Sequence, residues 1–181
     1  MHYIVRLSRA LAVMAVALAA TLPLATVAHA APQPPAAPPT VSVPQGAKLF
    51  DLGHATGVQI YKCNGTTWAF VAPRADLVDD KGKLIITHFA GPTWQAKDGS
   101  TVVGTVLKRD ATTNPAAIPL LLLSTAPNGK PGRLAQTTFI QRINTTGGLA
   151  PAPGTCTAAK VDQVEEVPYT ADYTFWKKGG V

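Results

Sequence analysis

The sequence predicts an all-β fold: an antiparallel β-sandwich or small β-barrel of roughly eight to ten strands, with one disulfide. Three observations lead there. From residue 44 onward, short runs rich in β-branched and aromatic residues alternate with Gly, Pro, Asn-Gly and Asp-Gly turn signals. No segment in that span keeps the 3.6-residue apolar period of an amphipathic helix. The two cysteines, Cys63 and Cys156, lie far apart, and outside the cytoplasm two thiols in a small domain form one bridge.

The chain divides into three parts. Arg6 and Arg9 precede an almost wholly apolar run, Ala10 to Ala28, and Ala28-His29-Ala30 is a small-x-small cleavage site. Residues 1–30 are therefore expected to be a signal peptide cleaved after Ala30, and the protein to be secreted or periplasmic. The run approaches the ~20 apolar residues of a membrane span, but Pro23 and the cleavage site favour removal. Residues 31–44 hold six prolines, at 32, 34, 35, 38, 39 and 44, and read as a polyproline linker without a packed element. Residues 45–181 are left for a single β domain.

Charge excludes some partners. Of 16 Lys and Arg, two lie in the leader, which leaves 14 against 10 Asp and Glu, a balance of +4. The basic residues are scattered, with only Lys108-Arg109 and Lys177-Lys178 adjacent, so no stripe suited to nucleic acid forms. Once the leader is removed, nothing calls for a membrane partner.

Within the domain, Gly57–Cys63 and Thr66–Ala72 flank Asn64-Gly65, a strong hairpin signal. A two-residue turn there sets Cys63 opposite Thr66, Tyr61 opposite Trp68 and Gln59 opposite Phe70, with Tyr61, Trp68, Phe70 and Cys63 on one face. Lys83–Phe89 is β-branched and ends at Gly91-Pro92. Trp94-Gln95-Ala96 and Ser100–Lys108 flank Asp98-Gly99, and a two-residue loop there sets Trp94 opposite Val103. Ile118–Ser124 reads as a buried strand, with Pro119 at its first position or at a bulge. Arg133–Asn144 reads as a long strand. Tyr169–Trp176 alternates cleanly, with Tyr169, Ala171, Tyr173 and Phe175 facing in.

Several of these stretches form a recognisable set. Val-Pro-x-Gly at 43–46, GVQIYKC, W-x-F-x-A-P at 68–73, H-x-x-GPTW-x-x-x-DGS, IP-x-LLL, IQR-x-NT-x-GG-x-AP and VPYTADYTF together resemble the secreted domain of unknown function 3455. The likeness runs over roughly residues 41–176, with one departure at Leu120, where the family pattern has tryptophan. The resemblance implies export and a mostly β domain, and it implies no established activity. Some relatives carry a malate-dehydrogenase name, but the sequence has no G-x-G-x-x-G after a strand and no βαβ alternation. No cofactor is expected.

Candidate chemistry is sparse. The chain after residue 30 keeps two histidines, His54 and His88, and three serines, Ser42, Ser100 and Ser124. A Ser100–His88–Asp98 triad can be written, yet Asp-Gly-Ser is what a hairpin turn itself requires. A metal held by His54, His88 and Asp98 or Asp51 lacks any His-x-His or His-Glu-x-x-His spacing. The reading favoured is a non-catalytic binding or surface module whose loops present His88, Trp94 and Asp98 towards an envelope glycan or an exported protein. Equally open is that Trp94 plugs the end of the fold. The alternatives are a hydrolase or metal-dependent enzyme pairing His88 with a carboxylate, and a small periplasmic inhibitor of an envelope enzyme.

Overall fold

The computed structural model describes residues 33–128 and 130–179. The leader over 1–30 and its cleavage site lie outside the described residues. Among the described residues, eight strands form one closed antiparallel barrel in chain order. They are β1 (Ala47–Cys63), β2 (Trp68–Val78), β3 (Leu84–Phe89), β4 (Thr93–Ala96), β5 (Thr101–Asp110), β6 (Leu120–Asn128), β7 (Phe139–Gly147) and β8 (Val164–Lys178). The barrel is therefore the architecture, not the sandwich. Closure comes from β1, which pairs with β2 on one side and with β8 on the other, from Ala47↔Lys178 to Lys62↔Val164. No strand edge is left unpaired in the ring.

The side-chain period of two sorts the wall into an inside and an outside. In β8, Tyr169, Ala171, Tyr173 and Phe175 all point in and are buried, as their alternation predicts. They meet Ala55 of β1, Leu77 of β2, Ile86 of β3, Trp94 of β4, Val102 of β5, Leu123 of β6 and Ile140 of β7 in one core. Outside, Thr56, Arg74, Asp76, Gln95, Thr105, Glu166 and Thr170 are exposed. That polar exterior is the reverse of a lipid-facing barrel. No helix among the described residues is long and apolar enough to cross a membrane.

Two hairpins differ in register from the expectation, for one physical reason. The Asn64 side chain accepts bonds from the Thr66 and Thr67 amides, so the loop takes four residues and Cys63 pairs with Trp68, Tyr61 with Phe70. A slip of two preserves facing, and Tyr61 and Phe70 still share a side. Beyond a bulge at Ile60/Tyr61, Gln59 pairs with Pro73. Asp98 likewise accepts from the Ser100 amide and the Ala96 amide donates to the Ser100 carbonyl, so the loop takes three residues, Lys97–Gly99, and Trp94 pairs with Val102 rather than Val103.

Two segments differ from the expectation. β7 begins only at Phe139, because residues before it turn back on themselves: Ala135 and Thr137 amides donate to the Gly132 and Leu134 carbonyls. The proline-rich stretch is also not free of packed structure. Pro39–Val41 forms one 3-10 turn, and Val41 is buried against Leu120, Leu122 and Ile143 on the outer face of the wall. Gln141 Nε2 donates to the Val41 carbonyl at 2.7 Å and Thr40 Oγ1 to Asp110. Leu120 thus serves as the floor for this segment.

Candidate functional site in the mouth of the barrel

In an up-and-down barrel, successive turns alternate between the two ends. One end carries the β2–β3, β4–β5 and β6–β7 connections. There the β6–β7 loop folds across the opening and inserts Leu134, which is fully buried. Arg133 anchors the plug through two bonds from its guanidinium to Asp51, one of 2.8 Å, and through its amide to Asp98. The Leu134 amide donates to Ser100 Oγ. This end is shut.

The other end carries the β1–β2, β3–β4, β5–β6 and β7–β8 connections, and it opens into a cavity of about 700 Å³. That volume falls within the roughly 300–1,000 Å³ of small-molecule sites. Gly91 and Pro92 of the β3–β4 turn, Ile118 and Pro119 before β6, and Leu149 and Ala150 after β7 form the rim. The disulfide Cys63–Cys156, with Cα atoms 5.4 Å apart, ties the long β7–β8 loop to the end of β1. Trp68 Nε1 holds the same loop through Thr155 Oγ1, at 2.8 Å. Asn114 Nδ2 and the Ile118 amide fasten the β5–β6 loop to the Thr145 and Gly147 carbonyls.

His88 and Trp94 lie in the depth of this mouth, side by side on β3 and β4 because they are cross-strand partners. Their rings stack with centroids 4.2 Å apart, and Tyr173 stands against both at 5.2 and 5.5 Å. Room for the indole comes from Gly104 on β5, where an added Cβ would meet the Trp94 ring at 2.9 Å. His88 Nδ1 faces the Thr93 carbonyl at 2.9 Å and so must carry the proton, which leaves the lone pair on Nε2. Burial pushes the imidazole down to about 3, so the ring is neutral at physiological pH.

The expected trio is not assembled. His88 and Trp94 face inward from strands and are buried, so neither is presented from a loop. Asp98 sits at the closed end, where the Ser100 hydroxyl and the Arg133 amide hold its carboxyl down to about 2. Ser100 and Asp98 bond each other at 2.6 Å as turn residues, far from the His88 that a triad needs. Nor does a metal group assemble among the described residues. Asp51 faces Arg133, while His54 bridges Asp172 and Asp80. No Asp or Glu is found among the described residues lining the mouth, so His88 has no carboxylate partner there.

Three residues of the cavity escaped the sequence reading. Gln59 of β1 reaches towards the Tyr169 hydroxyl, yet its buried Nε2 has no hydrogen-bond partner of good geometry. Trp94 Nε1 is likewise buried without one. Arg142 of β7 points inward opposite Tyr173, and its Nε and Nη2 donate to the Pro119 carbonyl at 3.1 and 2.8 Å. Arg109 of β5, cross-strand to Leu121, also lines the mouth and is exposed. The signal available was a polar residue in the inward phase: Gln59 two before Tyr61, Arg142 two after Ile140. Around the opening, Phe70, Val71, Val106 and Leu149 are all large, apolar and about half exposed. Tyr61 closes one flank by donating to the Gly148 carbonyl at 2.7 Å.

The comparison with known proteins adds a single finding. The family described as "Protein of unknown function (DUF3455)" matches residues 44–177. The chain belongs to this family. No curated protein and no solved structure matches the chain. The matched span takes in all eight strands, from the residues entering β1 to the last residue but one of β8.

Proposed function

We propose that the protein is an exported, non-catalytic binding module that takes a small molecule into the mouth of its barrel. One observation carries this reading: a strand-built cavity of about 700 Å³ opens at one end of the barrel, lined mostly by apolar and aromatic side chains with the Arg142 guanidinium on its wall. The exposed apolar side chains around the opening suit the entry of a partly apolar ligand. This shape favours a compact molecule over an envelope glycan laid on an exposed aromatic platform. Export is supported by the leader motif and by the disulfide, which persists in oxidising compartments.

The test uses the mature protein and the uncharged fluorophore N-phenyl-1-naphthylamine. Its emission is expected to rise and saturate on binding, and tryptophan emission to fall. The variant Leu121→Trp, which fills the cavity from β6, is expected to lose the signal while keeping its thermal transition. Unchanged probe binding in Leu121→Trp would place the site elsewhere and reject the reading.

A further inference from the structure

We infer that the ligand of this mouth is a small amphipathic carboxylic acid, bound with its carboxylate at Arg142 and its apolar body towards the rim. The inference rests on the binding reading above and specifies its chemistry. The charged groups of the lining, Arg142 and Arg109, are of one kind, and both are hydrogen-bond donors. Arg142 makes no ion pair among the described residues, and only its Nε and Nη2 are engaged, on one carbonyl oxygen. An ionised carboxylate is acceptor-only and offers about four lone-pair positions, so it matches this set where an amine or ammonium does not. No acidic side chain among the described cavity-lining residues competes for the guanidinium or would attract a cationic ligand.

Placement agrees with composition. Leu121, Arg142 and Tyr173 are cross-strand neighbours on β6, β7 and β8, so the guanidinium lies on the inner wall between an apolar and an aromatic residue. The Arg142 charge acts on His88, Tyr61 and Tyr169, which places it among the polar residues of the interior. The two bonds to Pro119 hold the side chain in place before a ligand arrives, which lowers the ordering cost of binding. Around the opening Leu149, Val106 and Phe70 are exposed and apolar, with Arg109 among them. A head at the partly buried Arg142 and a tail on these apolar side chains fits that lining.

The experiment compares decanoate with decan-1-ol as competitors of N-phenyl-1-naphthylamine, on mature wild-type protein at pH 7. Partition from water alone favours the alcohol, so a preference for the acid reports the head-group site. Decanoate is expected to displace the probe about tenfold more tightly than decan-1-ol, a charge-assisted contact being roughly twice as strong as a neutral one. Arg142→Gln is expected to abolish that preference and leave the affinity for decan-1-ol in place, which also reports an intact cavity. Arg142→Lys should retain a preference of the same sign. Equal displacement by acid and alcohol in the wild type would overturn the carboxylate inference and leave the cavity reading standing. So would loss of the preference in Arg109→Gln and not in Arg142→Gln. Failure of the probe and of both competitors to bind would reject the two readings together.

Discussion

The two ends of the barrel are built from the same strands and treated in opposite ways. At the closed end every inward group meets a partner: Leu134 meets the core, Arg133 meets Asp51, Ser100 meets Asp98 and the Leu134 amide. At the open end Gln59 Nε2 and Trp94 Nε1 are buried without a hydrogen-bond partner of good geometry, and Arg142 is held by the Pro119 carbonyl beside an open cavity. The difference teaches where stability is made and where it is withheld. A barrel that plugs one mouth with its own chain has a cup rather than a channel, and a cup can hold something.

The largest expected effect falls on the strap of the open end. Replacing Cys63 and Cys156 by alanine releases a loop with a sequence separation of 93. On the chain-entropy account this costs about 4 kcal/mol, read as a lower denaturant midpoint, with a steeper slope because the unlinked unfolded chain exposes more surface. Next is the plug. Leu134→Ala should cost about 3 kcal/mol, as buried leucines do, whereas Leu149→Ala on the rim should change stability by less than about 0.5 kcal/mol. Equal costs would erase the contrast between the ends. Gly104→Ala is expected to lose about 1–2 kcal/mol by crowding Trp94 and Leu123, and to dull the near-ultraviolet signal of the indole.

The effects of pH separate inside from outside. His88 is buried neutral, so between about 3 and its unfolded value of 6.5 the unfolded chain binds a proton that the fold refuses. Stability therefore falls as pH drops through that window, and His88→Gln should flatten the slope. His54, on the outer surface, is raised by its bonds to Asp80 and Asp172. The fold binds the extra proton there, so its contribution is complete below 6.5 and lost as pH rises through the raised value. For so exposed a pair the gain is about 0.2–1 kcal/mol. His54→Ala should remove a small alkaline decline; an acid-side change in that variant would contradict the assignment.

Much of the scaffold was legible in the chain. The alternation of Tyr169 to Phe175, the two distant cysteines and the Gly/Pro punctuation all follow from local chemistry, and each found its place. Registers were harder, because Asn64 and Asp98 spend their side chains on loop amides and so lengthen the loops. The site was half legible. His88 and Trp94 are neighbours because one tight turn joins their strands, and that much is local. Asp98 is only four residues from Trp94, yet the next turn of an up-and-down barrel lies at the opposite end. Gln59 and Arg142 could not be found without closure, since alternation says that a residue faces one side and not which side is the interior.

The seam between the first and last strands has a practical consequence. Gly179 donates its amide to the Gly46 carbonyl at 2.9 Å, so the two ends of the ring touch. A short peptide link would join them, and new termini could be opened at the exposed Asp79–Lys83 turn, opposite the mouth. A circularly rearranged chain of that kind should fold to the same cup, with its new termini well clear of the opening.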